Sequence, residues 1–400
     1  MISNFSQQMF RKLLKISSYF YCIPWEAGKQ EKFLVRKKSL AKFYINTAIF
    51  LCHHVFIVAR FPISLHSDHP LAFLRLTIHM LGVAFVIATS TCGSLELVFC
   101  SDKIMEQYNV AFLYHQKFAA QFYKSSVKKG VSVITGVELL MTLLTYGAPL
   151  FSSIGVPVFA LTAPHLNMFL SSAFLGYIEK RGAGPKLLLV LLSFINLWIF
   201  TFGLLMIVNV IWIFLPQVHQ MILVLREIRP GNRTPKFNKP SARKPGNAIG
   251  TLRVIQLLQQ RFNHVTRRNF ASTSIVVIMG ICVTCNCGVV TAQYSNSNAL
   301  GVHLGQILAS LISGTCTVSL LSGCHATGMV YMTTKGTIQA WKNQQVGSYL
   351  TKVLGSLRPE AVKIGSVMSY QRMTTVTVGM AIIRYTGRIL ITFKSKIIKV

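Results

Sequence analysis

Long apolar runs separated by basic segments are the feature that most constrains this chain. Of its 400 residues, 52% are apolar and only 13% are charged. Runs of about 20 apolar residues match the roughly 30 Å hydrocarbon core of a bilayer. The sequence therefore predicts an all-α, polytopic membrane protein rather than an ordinary soluble domain.

Seven stretches are apolar and long enough to be predicted as membrane spans. They lie near residues 43–60, 72–95, 130–150, 187–214, 271–293, 301–328 and 373–393. Residues 151–178 are moderately apolar as well, but an eighth crossing there would place the basic segment 215–270 outside the cell. We therefore predict an outer loop at 151–178, with a short interfacial helix at most and with breaks at Pro157 and Pro164.

Lys and Arg residues fall almost entirely on every second connecting segment. With the N-terminus in the cytosol, the inner segments hold 31 of the 41 basic side chains: nine in 1–42, five in 101–129, eleven in 215–270 and six in 329–372. Cytosolic loops of membrane proteins carry such an excess of Lys and Arg. The distribution predicts a cytosolic N-terminus, and it assigns the net charge of +31 to membrane topology rather than to nucleic-acid binding.

Three amphipathic stretches lie in the inner segments, at residues 104–123, 251–268 and 338–357. In each, apolar side chains repeat at helical spacing among basic ones, so each predicts a helix whose apolar side needs a partner. We predict that the three helices pack into a small cytosolic bundle; the alternative is that they lie on the anionic inner leaflet. Four subunits are expected to associate largely through residues 251–268 and 338–357, so that replacing Leu258 and Phe262 with Asp should abolish the oligomer.

The predicted domain organisation has two parts. Residues 1–42 are expected to form a basic cytosolic N-terminus, and residues 43–400 to form the seven-helix membrane domain. Within that domain, residues 226–250 combine four prolines with seven basic residues, glycine and asparagine. Because this composition prevents a helix and offers little to bury, we predict a disordered inner loop there.

No sequence pattern points to catalysis, a cofactor or a metal. No nucleophile elbow, phosphate-binding loop or pair of catalytic carboxylates stands out. The cysteine group of the fifth span, Cys282, Cys285 and Cys287, does not converge, since Cys285 and Cys287 point to nearly opposite sides of their helix. None of the nine cysteines falls in a predicted outer loop, so no extracellular disulfide is expected. We therefore expect no enzymatic activity.

The last predicted span has two different sides. At about 100° per residue, its small, hydroxyl and basic side chains from Tyr370 to Thr392 share one side, while branched apolar residues take other directions. An unpaired Arg near the bilayer centre costs roughly 2.5–3.5 kcal/mol. Arg384 is therefore expected to face protein or water; the alternative is that Arg384 and Arg388 snorkel to the outer headgroups.

In architecture, the whole chain resembles the insect-type gustatory and odorant receptors of arthropods, with a cytosolic N-terminus, seven spans and long inner helices. In motif, the resemblance covers residues 350–393, where Ser-Leu-Arg-Pro at 356–359 and Ile-Gly-Ser at 364–366 lead into the last span. Family members carry Thr-Tyr, five apolar residues and Gln-Phe in that span. This chain keeps the tyrosine as Tyr385 and departs from the pattern at Arg384, Ile391 and Thr392.

The resemblance implies a chemosensory receptor that acts as a ligand-gated, cation-conducting channel at the plasma membrane. Four identical or related subunits would form one central pore, with the last spans as its wall. The pore-lining side chains would be Thr374, Thr377, Ala381, Arg384, Tyr385 and Arg388. A tastant or odorant would bind in the outer half of each subunit, near the polar or aromatic side chains His79, Tyr146, Asn196, Trp198, Asn286, His303 and Gln306.

Two other classes of membrane protein remain as alternatives. A G-protein-coupled receptor also has seven spans, but it places its N-terminus outside and usually carries Asp-Arg-Tyr after the third span, which this chain lacks. A secondary transporter usually shows internal repeats and intramembrane charges. Glu96 and Glu138 are the carboxylates inside the predicted spans.

Overall fold

Helices make up most of the computed structural model, which confirms the predicted all-α class. It describes residues 4–28, 33–65, 72–124, 136–162, 164, 166, 168–180, 182–231, 239–266, 270–294, 300–344, 347–364 and 368–397. In chain order the α-helices are α1 Asn4–Tyr19, α2 Ala41–Ala59, α3 Phe61–Leu65, α4 Ala72–Ala88, α5 Glu96–Phe99, α6 Ser101–Phe122, α7 Gly136–Thr162, α8 Leu175–Ile178, α9 Ala183–Ile228, α10 Pro245–Thr266, α11 Phe270–Tyr294, α12 Leu300–Lys342, α13 Ser348–Ser356 and α14 Arg372–Ile397. Two antiparallel hairpins accompany them, β1 Trp25–Ala27 with β2 Leu34–Arg36 and β3 Lys363–Ile364 with β4 Met368–Ser369.

Each of the seven predicted spans coincides with a long helix, namely α2, α4, α7, α9, α11, α12 and α14. Within the part of the chain that the structure describes, three stretches are long and apolar enough to cross a membrane: Ala41–Ile63, Gly82–Phe99 and Ala183–Ile228. A shorter apolar stretch, Ile275–Val290, lies within α11. The length and composition of these helices are those of a membrane protein. The crossing of all seven helices, and their orientation, stay predictions.

A π-helical segment, Thr89–Leu95, joins α4 to α5. A hydroxyl side chain that bonds to a helix carbonyl competes with the backbone hydrogen bonds of the helix. Here Thr89 Oγ1 donates to Phe85 O at 2.8 Å. On its packed side, a Cβ at Gly93 would lie 3.4 Å from Met206 Cβ, so the segment runs close against α9. The wider π turn therefore sits where the two helices touch.

The helix α7 extends beyond the predicted third span and passes through Pro149 and Pro157 to Thr162. The expected outer loop at 151–178 is therefore wrong over 151–162. Each proline removes one helical hydrogen bond, yet the helix continues through both, and between them Ser153 Oγ donates to Pro149 O at 2.7 Å. After α7 the described chain forms a 3₁₀ turn, Leu170–Phe174, and the short helix α8.

The predicted bundle of inner helices is present within a single subunit. The amphipathic helices α6, α10 and α13 pack together with the last turns of α9 and α12. Their shared core contains Phe118, Phe122, Leu225, Ile228, Leu252, Ile255, Leu258, Trp341 and Leu354. Trp341 Nε1 donates to Ile228 O at 3.1 Å, which satisfies a carbonyl at the C-terminal end of α9. We call this group of helices the inner bundle; its cytosolic location stays a prediction.

The predicted disordered loop at 226–250 is ordered over much of its length. The helix α9 continues to Ile228, a 3₁₀ turn spans Pro240–Arg243, and α10 begins at Pro245. Proline is tolerated at the first position of a helix because its missing N–H has no intrahelical partner there. Ala242, Ala248 and Ile249 are buried in the inner bundle, so this segment does have apolar surface to bury. Residues 232–238 lie outside the described chain.

The N-terminal segment packs into the same core as the long helices. Phe10 of α1 stacks on Trp212 of α9, with ring centroids 5.4 Å apart, and Asn209 Nδ2 donates to Ser17 Oγ at 2.7 Å. The hairpin β1–β2 is held by Asn109 of α6, whose Oδ1 accepts the N–H groups of Phe33 and Leu34. The described part of residues 1–42 is therefore continuous with the helical core, while its cytosolic side stays a prediction.

Candidate functional site

The final helix, α14, packs against α11 and α12 along one side only. Val378 and Ile382 lie in the core there, and Cys287 Sγ of α11 donates to Thr386 O at 3.9 Å. A second sector carries exposed apolar side chains, with Val376, Met380 and Ile383 exposed by 54%, 61% and 68%. At about 100° per residue, the buried, the exposed apolar and the polar residues occupy three adjoining sectors of the helix.

The polar sector contains the predicted pore-lining residues. The side chains of Thr377, Arg384, Tyr385 and Arg388 are exposed, and those of Thr374 and Ala381 are partly buried. All six therefore lie away from the fully buried side of α14. Arg384 carries its charge outside the core of the subunit, as the expected contact with protein or water requires. An ion pair of Arg384 with Glu138 is another alternative that the sequence allows, but the side chain of Glu138 lies outside the described residues.

Tyr370 is not part of this sector, because α14 begins at Arg372. Its ring is buried and its N–H donates to Val362 O at 2.8 Å, so it belongs to the segment that leads into the helix. Thr374 Oγ1 accepts the N–H of Gln371 at 2.9 Å beside the first turn of α14. The polar side of the helix therefore starts one turn later than expected.

Asn263 of α10 fastens the segment before α14 to the inner bundle. Its Nδ2 donates to Ala361 O at 2.8 Å, and its Oδ1 accepts the N–H of Lys363 at 3.0 Å and of Gln259 Nε2 at 3.2 Å. The Asn263 side chain is buried. These bonds connect an inner helix directly to the chain that enters the candidate pore helix.

Five of the predicted ligand-binding residues have side chains that the structure describes, and each contacts a different partner. His79 Nε2 donates to Ile57 O at 3.0 Å, Tyr146 OH donates to Met9 Sδ at 3.6 Å, and Trp198 packs on Phe20 at 5.0 Å. Asn196 Oδ1 accepts the N–H of Leu170 at 3.3 Å, and Asn286 Oδ1 accepts a hydrogen bond from Ser313 Oγ. Asn196 and Trp198 lie on α9, and His79, Tyr146 and Asn286 lie on α4, α7 and α11. The side chains of His303 and Gln306 lie outside the described residues.

A compact aromatic group surrounds Phe200 of α9. Phe200 stacks on Phe85 of α4 at 5.2 Å and meets Phe169 edge-on at 6.2 Å. Val156, Ala160, Leu166 and Met168 complete this group, which we call the Phe200 cluster. It lies where α4, α7, α9 and the 164–174 segment converge.

Two buried polar side chains adjoin the Phe200 cluster. The ring of His53 in α2 lies 6.0 Å from that of Phe200, and Asn196 lies one helical turn before Phe200. Asn196 was predicted as a site residue, whereas His53, Phe85, Phe169 and Phe200 were not. The sequence does show that His53 is a histidine within an apolar run. It does not show that His53 lies near Phe200, because that depends on how α2 packs on α9.

Titratable groups outside the spans offer no activated nucleophile among the described residues. Burial raises the pKa of the Cys22 thiol to about 12, so the unreactive protonated form predominates at neutral pH. Burial also raises the pKa of Tyr123 to about 12, with the Glu227 carboxylate adding to the shift. Among the described residues no group of three His, Cys, Asp or Glu side chains is placed to hold a metal ion.

Comparison with known proteins gives a match in structure alone. No family model and no curated protein matches the sequence. The fold is similar to that of the insect olfactory receptor OR5 from Machilis hrabei, solved in complex with eugenol, with a TM-score of 0.64 and 9% sequence identity. The match covers 96% of this chain and 99% of that chain. The chain therefore has the insect-type chemoreceptor fold, as the sequence resemblance predicted, and the matched protein is a receptor rather than an enzyme.

Proposed function

We propose that this protein is a chemosensory receptor of the gustatory or odorant type, which opens as a ligand-gated, cation-conducting channel at the plasma membrane. The observation that carries the proposal is the shared fold, which extends over nearly the whole of both chains. OR5 is an olfactory receptor solved with a small aromatic molecule. A tastant or odorant is accordingly the ligand class proposed here.

A pore formed by four copies of α14 fits the three sectors of that helix. The buried sector holds α14 on its own subunit, and the polar sector would face the central axis. The exposed apolar sector, with Val376, Met380 and Ile383, would contact a neighbouring subunit or lipid. An isolated subunit leaves this apolar and polar surface uncovered, which supports a homo- or hetero-tetramer of related chains.

The proposed orientation places the inner bundle and the N-terminus in the cytosol. It is supported by the charge distribution, because the inner segments hold 31 of the 41 basic residues. The Asn263 contacts would then connect the cytosolic helices to the start of the pore helix. A movement of the inner bundle would then shift the start of α14, and a movement of α14 would shift the inner bundle.

Ligand-evoked current from the protein expressed alone tests the proposed function. Intracellular G-protein signalling is blocked during the recording, so that a current requires a channel in this protein itself. We expect a current that appears with the ligand and disappears on washout. A ligand response that vanishes under the block would favour a G-protein-coupled receptor, and uptake of labelled ligand without current would favour a transporter.

A further inference from the structure

We infer that Tyr21, Lys37 and Lys42 form a binding site for the phosphate headgroup of an anionic membrane lipid, whose acyl chain runs along the exposed side of α2. This inference goes beyond the proposed function, from which it takes only the placement of α2 in the membrane. It involves neither the ligand nor the pore, so it can be tested by lipid binding without any current.

Two ammonium groups lie beside the ring of Tyr21, in the turn that follows α1. Lys42 Nζ lies 4.8 Å and Lys37 Nζ 5.9 Å from the centre of this ring. Lys42 Nζ also donates to Tyr21 OH at 3.1 Å, and Lys37 Nζ donates to Ile23 O at 3.0 Å. Two positive charges are therefore concentrated around one phenol ring.

The described carboxylates do not balance these two charges. Neither Lys37 nor Lys42 forms an ion pair with a described carboxylate, whereas the neighbouring Arg36 pairs with Asp102 at 2.8 Å. Burial lowers the pKa of Lys37, while the charge of the Glu26 carboxylate acts in the opposite direction. A bound anion would offset the desolvation of the Lys37 ammonium group.

Tyr21 has a backbone conformation that large side chains rarely adopt. Its φ is 51°, and it is the one described residue other than glycine with a positive φ. Such strain persists where the surrounding structure fixes it, and it concentrates at functional sites. Asn46 Nδ2 of α2 donates to Phe20 O at 3.2 Å and so holds the turn against α2. The Tyr21 hydroxyl accepts from Lys42 there, and its own O–H can donate to a phosphate oxygen.

The position of this site on α2 favours a lipid as the source of the phosphate. The apolar stretch Ala41–Ile63 begins one residue before Lys42, so the site lies at the boundary of the predicted first span. Ile45 and Ile49 follow Lys42 at helical spacing on the same side, and they are 58% and 50% exposed. At 1.5 Å per residue, Ile49 lies about 10 Å further along the helix than Lys42. An acyl chain attached to a phosphate at Lys42 would cover both isoleucines.

The charge of the site favours an anionic lipid over a zwitterionic one. Lys residues next to a membrane span attract the anionic lipids of the cytosolic leaflet. The choline group of phosphatidylcholine carries a fixed positive charge, which the two ammonium groups would repel. Tyr19 of α1 and Tyr44 of α2 are exposed as well, and tyrosine is enriched at the boundary between membrane and water.

The test measures the binding of short-chain lipids to the purified full-length protein in detergent by microscale thermophoresis. The probes are dioctanoyl phosphatidylserine, dioctanoyl phosphatidylcholine and glycerophosphoserine, which is the serine headgroup without acyl chains. We expect phosphatidylserine to bind about tenfold more tightly than phosphatidylcholine, which corresponds to about 1.4 kcal/mol. Glycerophosphoserine should bind about tenfold more weakly than phosphatidylserine, because it has no apolar chain to cover α2.

Two variants assign the preference for phosphatidylserine to the site. Lys42→Gln should lower this preference about fivefold, because it removes one of the two charges. Tyr21→Phe keeps the ring and should lower it about threefold through the loss of one hydrogen bond. Lys15→Gln removes an exposed charge from α1 and should leave the preference intact. Lys42 is exposed, so Lys42→Gln should unfold at the wild-type temperature without anionic lipid, which separates lost binding from lost folding.

Equal affinity for phosphatidylserine and phosphatidylcholine, an unchanged preference in both site variants, or an equal loss in Lys15→Gln would overturn this inference. Glycerophosphoserine binding as tight as that of phosphatidylserine would overturn it too, and would indicate a soluble anion. A preference for phosphatidylserine without any ligand-evoked current would leave the site standing and count against the channel. A ligand-evoked current in a protein without this preference would count against the site alone.

Discussion

Gly203 lies where α9 passes the rings of Phe50 and Phe85. A Cβ at this position would lie 2.7 Å from Phe50 Cζ and 2.9 Å from Phe85 Cζ. Because Phe50 is almost fully buried, its ring has no free space to move into. We expect Gly203→Ala to lower the free energy of unfolding by about 1–3 kcal/mol.

Thermal unfolding in detergent checks this prediction. Gly147→Ala is the matched control, since a Cβ there meets nothing within 4 Å in another long helix. Alanine favours helix over glycine by about 1 kcal/mol, so the control should be neutral or slightly stabilising. A Gly203→Ala protein as stable as the control would show that Phe50 and Phe85 repack freely.

Arg384 is the residue at which α14 departs most from the family pattern. If α14 lines a fourfold pore, a ring of four Arg384 side chains repels cations and favours anions. Arg384→Thr should therefore raise cation permeability, measured as a shift of the reversal potential in a sodium gradient. Lys352→Thr removes the charge of an exposed side chain on α13 and serves as the control. Identical selectivity in Arg384→Thr and wild type, with equal surface expression, would remove Arg384 from the pore.

At the scale of elements, the inner bundle changes the expected role of Leu258. This side chain and that of Phe262 are each 3% exposed, so both are already covered within one subunit, while association of subunits through residues 251–268 and 338–357 stays a prediction. We expect Leu258→Ala to lower the free energy of unfolding of the subunit by about 2–5 kcal/mol. Leu257→Ala is a close control, because Leu257 is the next residue on the same helix and is 58% exposed. Equal unfolding temperatures for the two variants would contradict this assignment.

The segment before α14 provides a second prediction for an element. Asn263→Ala removes the side chain that bonds Ala361 O and Lys363 N–H. We expect faster amide hydrogen exchange in residues 358–364, because local opening no longer breaks these bonds. Gln260→Ala, which loses only the exposed bond to Glu360, should have little effect. Unchanged exchange in Asn263→Ala would mean that the segment is held by other contacts.

The sequence was a good guide to the elements that bury a continuous apolar run. Helices α2 and α11 begin and end close to the predicted spans, since the length of an apolar run is a local property, whereas α9 begins near its predicted span but continues past residue 214 to Ile228. The predicted helix boundaries were wrong mainly at prolines. Pro157 lies inside α7, and Pro245 starts α10, because the packing around each proline decides whether a helix accepts it.

The candidate sites were predictable to different degrees. The polar side of α14 follows from helical periodicity alone, so Thr377, Arg384 and Arg388 were found from the sequence. The Phe200 cluster joins residues from α4, α7 and α9 with His53 of α2. No local pattern relates residues so far apart along the chain, and tertiary packing alone brings them together.

At the scale of the whole molecule, the charge distribution and the fold support the same arrangement. The long helices α9 and α12 lead into the inner bundle at one end, and the described basic residues of α10 and α13 lie at that end. Exposed cations on that end, such as Arg253 and Arg261 of α10, would meet the anionic leaflet or solvent. The other end of the long helices carries the 164–174 segment beside the Phe200 cluster.

The orientation of the chain follows from this arrangement and gives the last prediction. An epitope tag inserted at residues 232–238 should react with antibody only after the cells are permeabilised, because the preference of basic loops for the cytosol fixes that side. A tag after Val400 should be labelled on intact cells, since α14 would carry the C-terminus outward. A tag inserted at residues 345–346, between α12 and α13, is the internal control and should behave like the first. Labelling of the first tag on intact cells would reverse the orientation, place the inner bundle outside, and refute the channel proposal with it.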